Sequence, residues 1–339
     1  MCAMRILLTG YAGFIGYTLV QQLKEHELVG LDNFSSLSNY DIKLARAKQL
    51  GISDVNALAN APIKNGNGTF YLADLADAAQ LESILAEHKF DLIIHLAALT
   101  GVRQSLNNPQ AYIDANVKGF VNLLEAAYKS GVRNVIYASS SSVYGSNTQT
   151  PYAETQVTDS PISVYAASKK ADELLAQVYS NLYGMNLIGL RFFTVYGAWT
   201  RPDMAAYIFM KAIADKKPID LFNEGKMVRD FTYVGDVVKA IKLLMARFEK
   251  GGVQGSDIFN IGNHSPIYVS QYLAAIEQAM GEKAIINNKP IQPGDMPATN
   301  ADSDKLFQYI GFRPDTKVED GVKEMAAWFR SYYSAPNKG

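Results

Sequence analysis

Thr9-Gly10-Tyr11-Ala12-Gly13-Phe14-Ile15-Gly16 sets three glycines at intervals of three, between a short apolar run at residues 5–9 and a helical apolar spacing from residue 14 to 23. Leu28-Val29-Gly30-Leu31 follows as a second strand that ends at Asp32. Strand, glycine turn, helix, strand is the opening of a parallel α/β sheet. The alternation continues with predicted strands at residues 69–73, 92–96, 135–138 and 187–191, and helical spacing near residues 76–87, 111–130 and 165–183. Such an order predicts a doubly wound parallel sheet with right-handed crossovers.

Beyond residue 192 the alternation breaks down, and Pro202, Pro218, Pro266, Pro290, Pro293, Pro297 and Pro314 punctuate short segments. The chain of 339 residues exceeds what one core usually supports, so a second lobe is expected. The expected division is a first domain over residues 1–191 and a smaller C-terminal α/β lobe over residues 192–335. Segments near 230–262 are expected to return to the first, because residues 237–248 read as a helix and 258–261 as a strand. Residues 53–68, rich in Asn, Gly and Ala, read as a loop insertion.

Composition narrows the function classes. Lys and Arg total 32 against 33 acidic residues, a net charge of −1, which argues against general nucleic-acid or anionic-membrane binding. Cys2 is the only cysteine, so no intramolecular disulfide or cysteine zinc cluster is expected, and His26, His88, His95 and His264 lack metal-ligand spacing. No apolar run reaches the roughly 20 residues of a bilayer span. The N-terminus does not read as a signal peptide, because only three apolar residues precede Thr9-Gly10. A cytoplasmic protein is expected.

The glycine turn has a specific chemistry. Gly10 makes the tight turn, Gly13 lets the backbone approach a pyrophosphate, and Gly16 allows close packing of helix on strand. The phosphates would then meet free N–H groups at the helix start. A lone glycine triplet is equally a plain loop-to-helix junction. Asp32 changes the weighting: it lies 22 residues beyond Gly10 at the end of the second strand, where a carboxylate binds adenosine ribose hydroxyls. The same carboxylate repels a 2′-phosphate, and no arginine follows closely in sequence, so NAD is expected over NADP. These residues make the expected sheet Rossmann-like.

Tyr165-Ala166-Ala167-Ser168-Lys169 puts a phenol and an ammonium four residues apart, hence on one helix face. The alternative is an ordinary surface pair. Ser139-Ser140-Ser141-Ser142 follows the fifth strand, at the sheet edge where such folds bind ligands, although four serines also make a plain polar loop. A phenol is a poor base at neutral pH. A nearby ammonium and a cationic nicotinamide would stabilise the phenolate, and a serine hydroxyl would relay or hold the proton of a substrate alcohol.

Together these features resemble the extended short-chain dehydrogenase/reductase family across nearly the whole chain. The resemblance rests on Thr9 to Gly16, Asp32, Asp74-Leu75, His95-Leu96-Ala97-Ala98, the serine run, and Tyr165 with Lys169. It implies that Tyr165 is the acid/base, that Lys169 binds the nicotinamide ribose and tunes Tyr165, and that Ser140 relays the hydroxyl proton. It also implies NAD contacts from Gly10, Ala12, Gly13, Phe14, Ile15, Gly16, Asp32 and Asn33. Asp74 and Leu75 would lie against the adenine, and Leu96, Ala97 and Ala98 along the cofactor. Taken alone, Asp74 reads as a helix cap and His95 as a satisfied core histidine.

The residues after Ser140 separate family members. The 4,6-dehydratases carry an Asp-Glu pair where Ser141 and Ser142 stand, and UDP-glucuronate decarboxylases carry a glutamate in the place of Ser142. UDP-glucose 4-epimerases usually have asparagine in the place of Thr194. Gly101-Val102-Arg103-Gln104-Ser105, the stretch from Trp199 to Met204, and Gln292-Pro293-Gly294-Asp295-Met296-Pro297 resemble the UDP-glucuronate 4-epimerases. That resemblance implies reversible conversion of UDP-glucuronate to UDP-galacturonate through a transient 4-keto sugar, and the chemistry of that β-keto acid gives Ser141, Ser142 and Thr194 an expected role as neutral donors to its carboxylate. Arg201 and Arg229 are candidates for the diphosphate or sugar, against a surface salt-bridge reading. Arg103 either contacts substrate or orders its loop, and Asp295 either binds uridine ribose or caps a turn. The competing functions are a 4-epimerase for neutral UDP-hexoses, a decarboxylase, and a non-catalytic NAD sensor. The family resemblance further implies a homodimer through the helices at residues 111–130 and 165–183.

Overall fold

The computed structural model describes residues 3–35, 37, 40–291 and 298–333. Its central sheet has eight strands: β1 (Arg5–Thr9), β2 (Glu27–Asp32), β3 (Ile63–Asn65), β4 (Gly68–Leu72), β5 (Leu92–His95), β6 (Asn134–Ser140), β7 (Asn186–Phe192) and β8 (Ser256–Ile261). Their order is β8-β7-β6-β5-β1-β2-β4-β3. From β4 to β7 neighbours pair in parallel, with Leu8 opposite both Gly30 and Ile94, and Ile136 opposite both Ile94 and Ile188. Helices Phe14–Val20, Ala78–Glu87, Gly119–Lys129 and Val164–Tyr183 connect the strands. The sequence order reverses between β1 and β5, the switch point at which doubly wound sheets bind ligands beyond the carboxyl ends of their strands. The fold expected from the sequence is the fold observed.

Apolar runs in the strands explain the sheet's position. Ile6, Leu7, Leu8, Ile93, Ile94, Val135 and Ile136 have no solvent exposure, as parallel strands covered on both faces require. Beneath one face Leu81, Leu85, Phe120, Leu123, Leu124 and Ala176 close a continuous core.

Three local expectations are corrected. Residues 53–68 are not one loop: Val55–Ala59 is a 3₁₀ turn capped by Asp54, and β3 pairs antiparallel with β4. Residues 111–130 are not one helix, because Pro109–Tyr112 passes into a π-helical turn at Ile113–Lys118 before Gly119–Lys129. The serine run does not follow its strand; β6 runs on through Ser139 and Ser140, and only Ser141 and Ser142 enter the 3₁₀ turn Ser141–Tyr144. A helix at Tyr40–Gln49, which weak apolar spacing hid, lies between β2 and β3.

The chain divides into two compact units, one of Met1–Asn147, Glu154–Phe192 and Ile241–Phe259, the other of Thr148–Ala153, Phe193–Ala240 and Asn260–Gly339. In the second, Thr194–Tyr196 pairs in parallel with Phe231–Tyr233, Pro218–Phe222 pairs in parallel with Ile285–Lys289, and Val228–Arg229 pairs antiparallel with Ile267–Tyr268. Helices Ala205–Ala214, Val269–Met280, Asp304–Ile310 and Val318–Tyr333 accompany these pairs. Tyr272 stacks on Phe231 with ring centroids 3.8 Å apart, giving this unit its own core.

Candidate active site

The glycine turn is built by close backbone approach. Gly10 has φ of +76°, which favours glycine, and a side chain there would meet the backbone nitrogen of Ala97 at 2.8 Å. A β-carbon on Gly16 would lie 2.1 Å from the Gly10 carbonyl oxygen, so the helix Phe14–Val20 starts against the turn itself. Gly13 is confined in the same way: a β-carbon there would meet the same Gly10 oxygen at 2.9 Å. The turn's own packing therefore already demands glycine at that place. The helix has no side-chain cap and no acidic residue in its first turn, and Phe14 and Ile15 lie in that turn.

Asp32 is 3% exposed, and its carboxylate is held from three sides. Ala12 N donates to Oδ2 at 3.2 Å, Phe34 N donates to Oδ1 at 2.9 Å, and Lys43 Nζ donates to Oδ1 at 2.8 Å. Arg46, 1% exposed, donates from Nη1 to the Ala12 carbonyl at 2.8 Å. Lys43 and Arg46 share the helix Tyr40–Gln49, so cations attend this site although no arginine follows Asp32 closely in sequence. Folding brings them back along that helix. Asn33 and Asp74 also meet, Asn33 Nδ2 donating to Asp74 Oδ2 at 3.0 Å. Asp74 is not the cap of helix Ala78–Glu87; that cap is Asp77, while Asp74 Oδ1 accepts from Ala76 N. Leu75 is buried in the core, and Asn122 Nδ2 donates to its carbonyl at 2.8 Å.

The strand β5 leads into Leu96, Ala97 and Ala98, all half-buried. Leu96 N donates to the Thr9 carbonyl at 3.1 Å, and Ala97 N to Thr9 Oγ1 at 3.2 Å, so this stretch lies along the glycine turn. His95 Nδ1 is 2.8 Å from Thr9 Oγ1, and its ring stacks on Phe120. Its Nε2 is buried without a partner, so the histidine is only half satisfied. Burial, with the Lys169 charge adding to it, pushes the imidazole down to about 3, and it is neutral.

A residue that the sequence reading passed over closes this edge. Asn116, fully buried in the π-helical turn, accepts from Leu99 N at 2.8 Å and donates to the Leu99 carbonyl at 3.1 Å and to Ser168 Oγ at 2.9 Å. It thereby ties the loop after β5 to the helix Val164–Tyr183. The π turn is the structural signal, since such turns cluster at functional sites, but no sequence period announces it.

Tyr165 and Lys169 lie on that helix, capped by Ser163. Tyr165 is half-buried and meets Tyr112 edge to face at 6.3 Å, whereas Lys169 is 1% exposed and donates to Asp172 Oδ2 at 2.7 Å. Strand alternation separates Ser139 from Ser140, and Ser141 and Ser142 follow in the 3₁₀ turn. Ser139 turns into the core and donates to Glu173 Oε1 at 2.7 Å. Ser140 Oγ donates to Ser142 Oγ at 3.1 Å and accepts from Ser142 N at 3.1 Å. Ser141 is half-buried beside them, and Arg103 is exposed on the short helix Val102–Asn107.

The second unit holds the remaining candidates. Thr194 is half-buried at the start of its strand, and its N–H donates to the Asp230 carbonyl at 3.2 Å. Arg201 grips Asp203 with both arms, at 3.0 and 2.5 Å, so a phosphate would compete with a carboxylate already in place. Arg229 donates from Nη1 to the Val228 carbonyl and reaches Met227 Sδ at 3.7 Å. Asp230 is the hub here. Its buried carboxylate accepts from Asn263 N at 2.7 Å, Ala301 N at 3.0 Å, His264 N at 3.1 Å and Thr232 Oγ1 at 3.1 Å. Burial raises its carboxyl, and these four donors oppose the rise. Asp295 lies outside the described residues. Among the described residues no cluster of His, Cys, Asp or Glu is placed to hold a metal, and no helix is long and apolar enough to cross a membrane.

This donor set fits a dinucleotide: a turn too close-packed for side chains, an uncapped helix start, and a buried carboxylate at the end of β2. The family profile "NAD dependent epimerase/dehydratase family" matches residues 6–262, and the chain belongs to that family. It is accordingly an NAD-dependent enzyme. Protein CapI of Staphylococcus aureus is 41% identical over 97% of this chain and 99% of its own length. A probable UDP-glucuronate 4-epimerase of Rhizobium meliloti (strain 1021) is 38% identical over 97% of this chain and 98% of its own. The crystal structure of UDP-glucuronic acid 4-epimerase from Bacillus cereus, in complex with UDP-glucuronic acid and NAD, superposes with a TM-score of 0.87. It is 29% identical over 97% of this chain and 100% of that one.

Proposed function

We propose that this protein is a UDP-glucuronate 4-epimerase, interconverting UDP-glucuronate and UDP-galacturonate. The observation that carries the reading is the hydroxyl cluster of Ser140, Ser141 and Ser142 at the end of β6, with no carboxylate at 141 or 142, in a chain that also carries Tyr165 and Lys169 one helical turn apart. The similarity to named UDP-glucuronate 4-epimerases over nearly the whole chain supports it. NAD, held by residues 10–16, Asp32, Asn33, Asp74 and the stretch 96–98, supplies when bound the acceptor and donor of the C4 hydride.

The chain's own residues do the rest. Tyr165 takes the O4 proton and returns it, and Lys169 favours the phenolate by its charge. Ser140 holds the O4 hydroxyl. A 4-keto uronate is a β-keto acid, which loses carbon dioxide most readily when the C5–carboxylate bond stands perpendicular to the ketone plane. Ser141, Ser142 and Thr194 hold the carboxylate away from that alignment by neutral donors, while Arg201 and Arg229 bind the diphosphate or sugar. Arg201 would exchange Asp203 for the ligand. The active species is a homodimer.

Incubation of purified protein with UDP-glucuronate, without added cofactor, tests the reading by proton NMR of the sugar. A mixture of glucuronate and galacturonate forms is expected. UDP-xylose or a 4-keto pentose would make the protein a decarboxylase, and no change after NAD is supplied would move the substrate to a neutral UDP-hexose.

A further inference from the structure

Two acidic residues stand side by side in the buried middle of helix Val164–Tyr183, and they are treated differently. Glu173 is fully used: Arg191 reaches both its oxygens at 2.8 Å, Ser139 donates to it at 2.7 Å, and Lys170 lies at 3.8 Å. Asp172 is 0% exposed and accepts one hydrogen bond, from Lys169 Nζ at 2.7 Å, while its Oδ1 is buried with no partner. The groups facing this pair from other elements do not relieve it. Tyr137 on β6 has a buried hydroxyl without a partner, His95 on β5 is neutral, and Arg191 on β7 is taken by Glu173. A carboxylate buried with one bare oxygen is costly, and a neutral residue of the same size would remove the cost. What Asp172 uniquely touches is the cation beside Tyr165.

We propose that Asp172 is a positioning residue for Lys169, anchoring its ammonium and offsetting part of its charge toward Tyr165. The inference rests on the epimerase reading above. A lysine head on a four-carbon stem has several rotamers, and a carboxylate three residues on selects one of them. Burial pushes the Asp172 carboxyl up to about 6, with Lys169 opposing the rise and Glu173 adding to it. As pH falls through that value the carboxylate is protonated, the anchor becomes neutral, and turnover falls with it. Asp172→Asn imitates the protonated state at every pH.

The test compares NAD-holoenzymes of wild type, Asp172→Asn and Asp172→Glu on UDP-glucuronate from about pH 5 to about pH 9. Wild-type kcat is expected to fall about tenfold on the acid side of a midpoint near Asp172's own, with KM unchanged. Asp172→Asn should give a low kcat without that acid limb, and Asp172→Glu should restore the limb. In parallel, ¹³C-carboxyl NMR of aspartate-labelled protein, without substrate, should show one resonance absent from Asp172→Asn that titrates with the same midpoint. The ¹³Cε signal of Lys169 should move in step with it. Wild-type kcat and pH profile in Asp172→Asn would overturn the proposal, as would a low kcat that keeps the wild-type acid limb. An inert wild type would sink the epimerase reading alone. The Asp172 titration, sensed at the Lys169 ¹³Cε signal, would still decide the pairing, and its absence would refute it.

Discussion

At the scale of single residues, Asp172 makes a stability prediction separate from its effect on turnover. Its folded pKa lies above the ordinary aspartate value, so between about pH 4 and about 6 the native state binds more protons than the unfolded one. This group therefore lowers stability as pH rises through that window, and the loss is complete at neutral pH. Asp172→Asn should melt higher than wild type near pH 7.5, with the difference vanishing near pH 3.5, as scanning calorimetry would report. A lower melting temperature at neutral pH would mean that the Lys169 pair is net stabilising. Tyr165 and Lys169 were legible in the sequence because their spacing puts both on one helix face. Asp172 and Glu173 were not, because acidic residues within a helix read as a solvated face until the fold buries them. The hydroxyl cluster carries a second prediction. Alanine at both Ser142 and Thr194 should leave epimerisation running but divert a measurable share of turnovers to carbon dioxide and a UDP-4-keto pentose. Full epimerisation with no gas released would remove the carboxylate-holding role.

At the scale of elements, the helix Tyr40–Gln49 shows what local patterning conceals. Its mean hydropathy is low, and only Ile42, Arg46 and Ala47 are buried, so apolar periodicity gave no helix there. Yet it delivers Lys43 to Asp32 and Arg46 to the glycine turn. A carboxylate alone repels a 2′-phosphate, whereas one paired with an ammonium at 2.8 Å repels it less. Lys43→Ala should therefore weaken NADP binding more than NAD binding, changing their affinity ratio about tenfold in calorimetric titrations of NAD-stripped protein. An unchanged ratio would place Lys43 in a purely structural role. The parallel strands of the central sheet, by contrast, were legible to within about two residues, since a sheet covered on both faces requires continuous apolar runs, whereas the antiparallel edge strand β3 and the short strands of the second unit were not. The helix at residues 111–130 was legible in extent and misread in kind. Its π-helical turn arises where Asn116 is pulled between Leu99 and Ser168, a tertiary demand with no local signature.

At the scale of the whole molecule, the contrast between the units explains which site residues the sequence could reveal. The first unit carries its candidates in contiguous motifs, because a turn, a strand end and a helix face each confine several residues to a few positions. The second carries Thr194, Arg201 and Arg229 singly, and a lone arginine has no spacing to read. Resemblance alone marked them, and it gave no role to Asp230, which gathers Thr232, Asn263, His264 and Ala301 from scattered segments. Helix Val164–Tyr183 buries Ala166, Lys169, Asp172, Glu173, Ala176 and Ser180 on one face, yet also exposes Leu174 by 58%, Val178 by 46% and Leu182 by 68%. These three recur at four-residue intervals and form a single apolar stripe. Leu106 on the helix Val102–Asn107 and Ile113 at the start of the π-helical turn, at 62% and 40% exposure, add apolar surface in the first unit. A stripe of this kind is costly in water and is expected to be covered by a second copy of the chain, which is the proposed homodimer. Light scattering at about 10 µM, well above the dissociation constant of a typical homodimer, should give twice the chain mass. Val178→Asp with Leu182→Asp should give the single mass with the circular dichroism of the fold intact, since both side chains already face solvent in one chain and charge there opposes only association. A wild type of single mass at that concentration, or a double variant that still pairs, would remove this stripe as the interface.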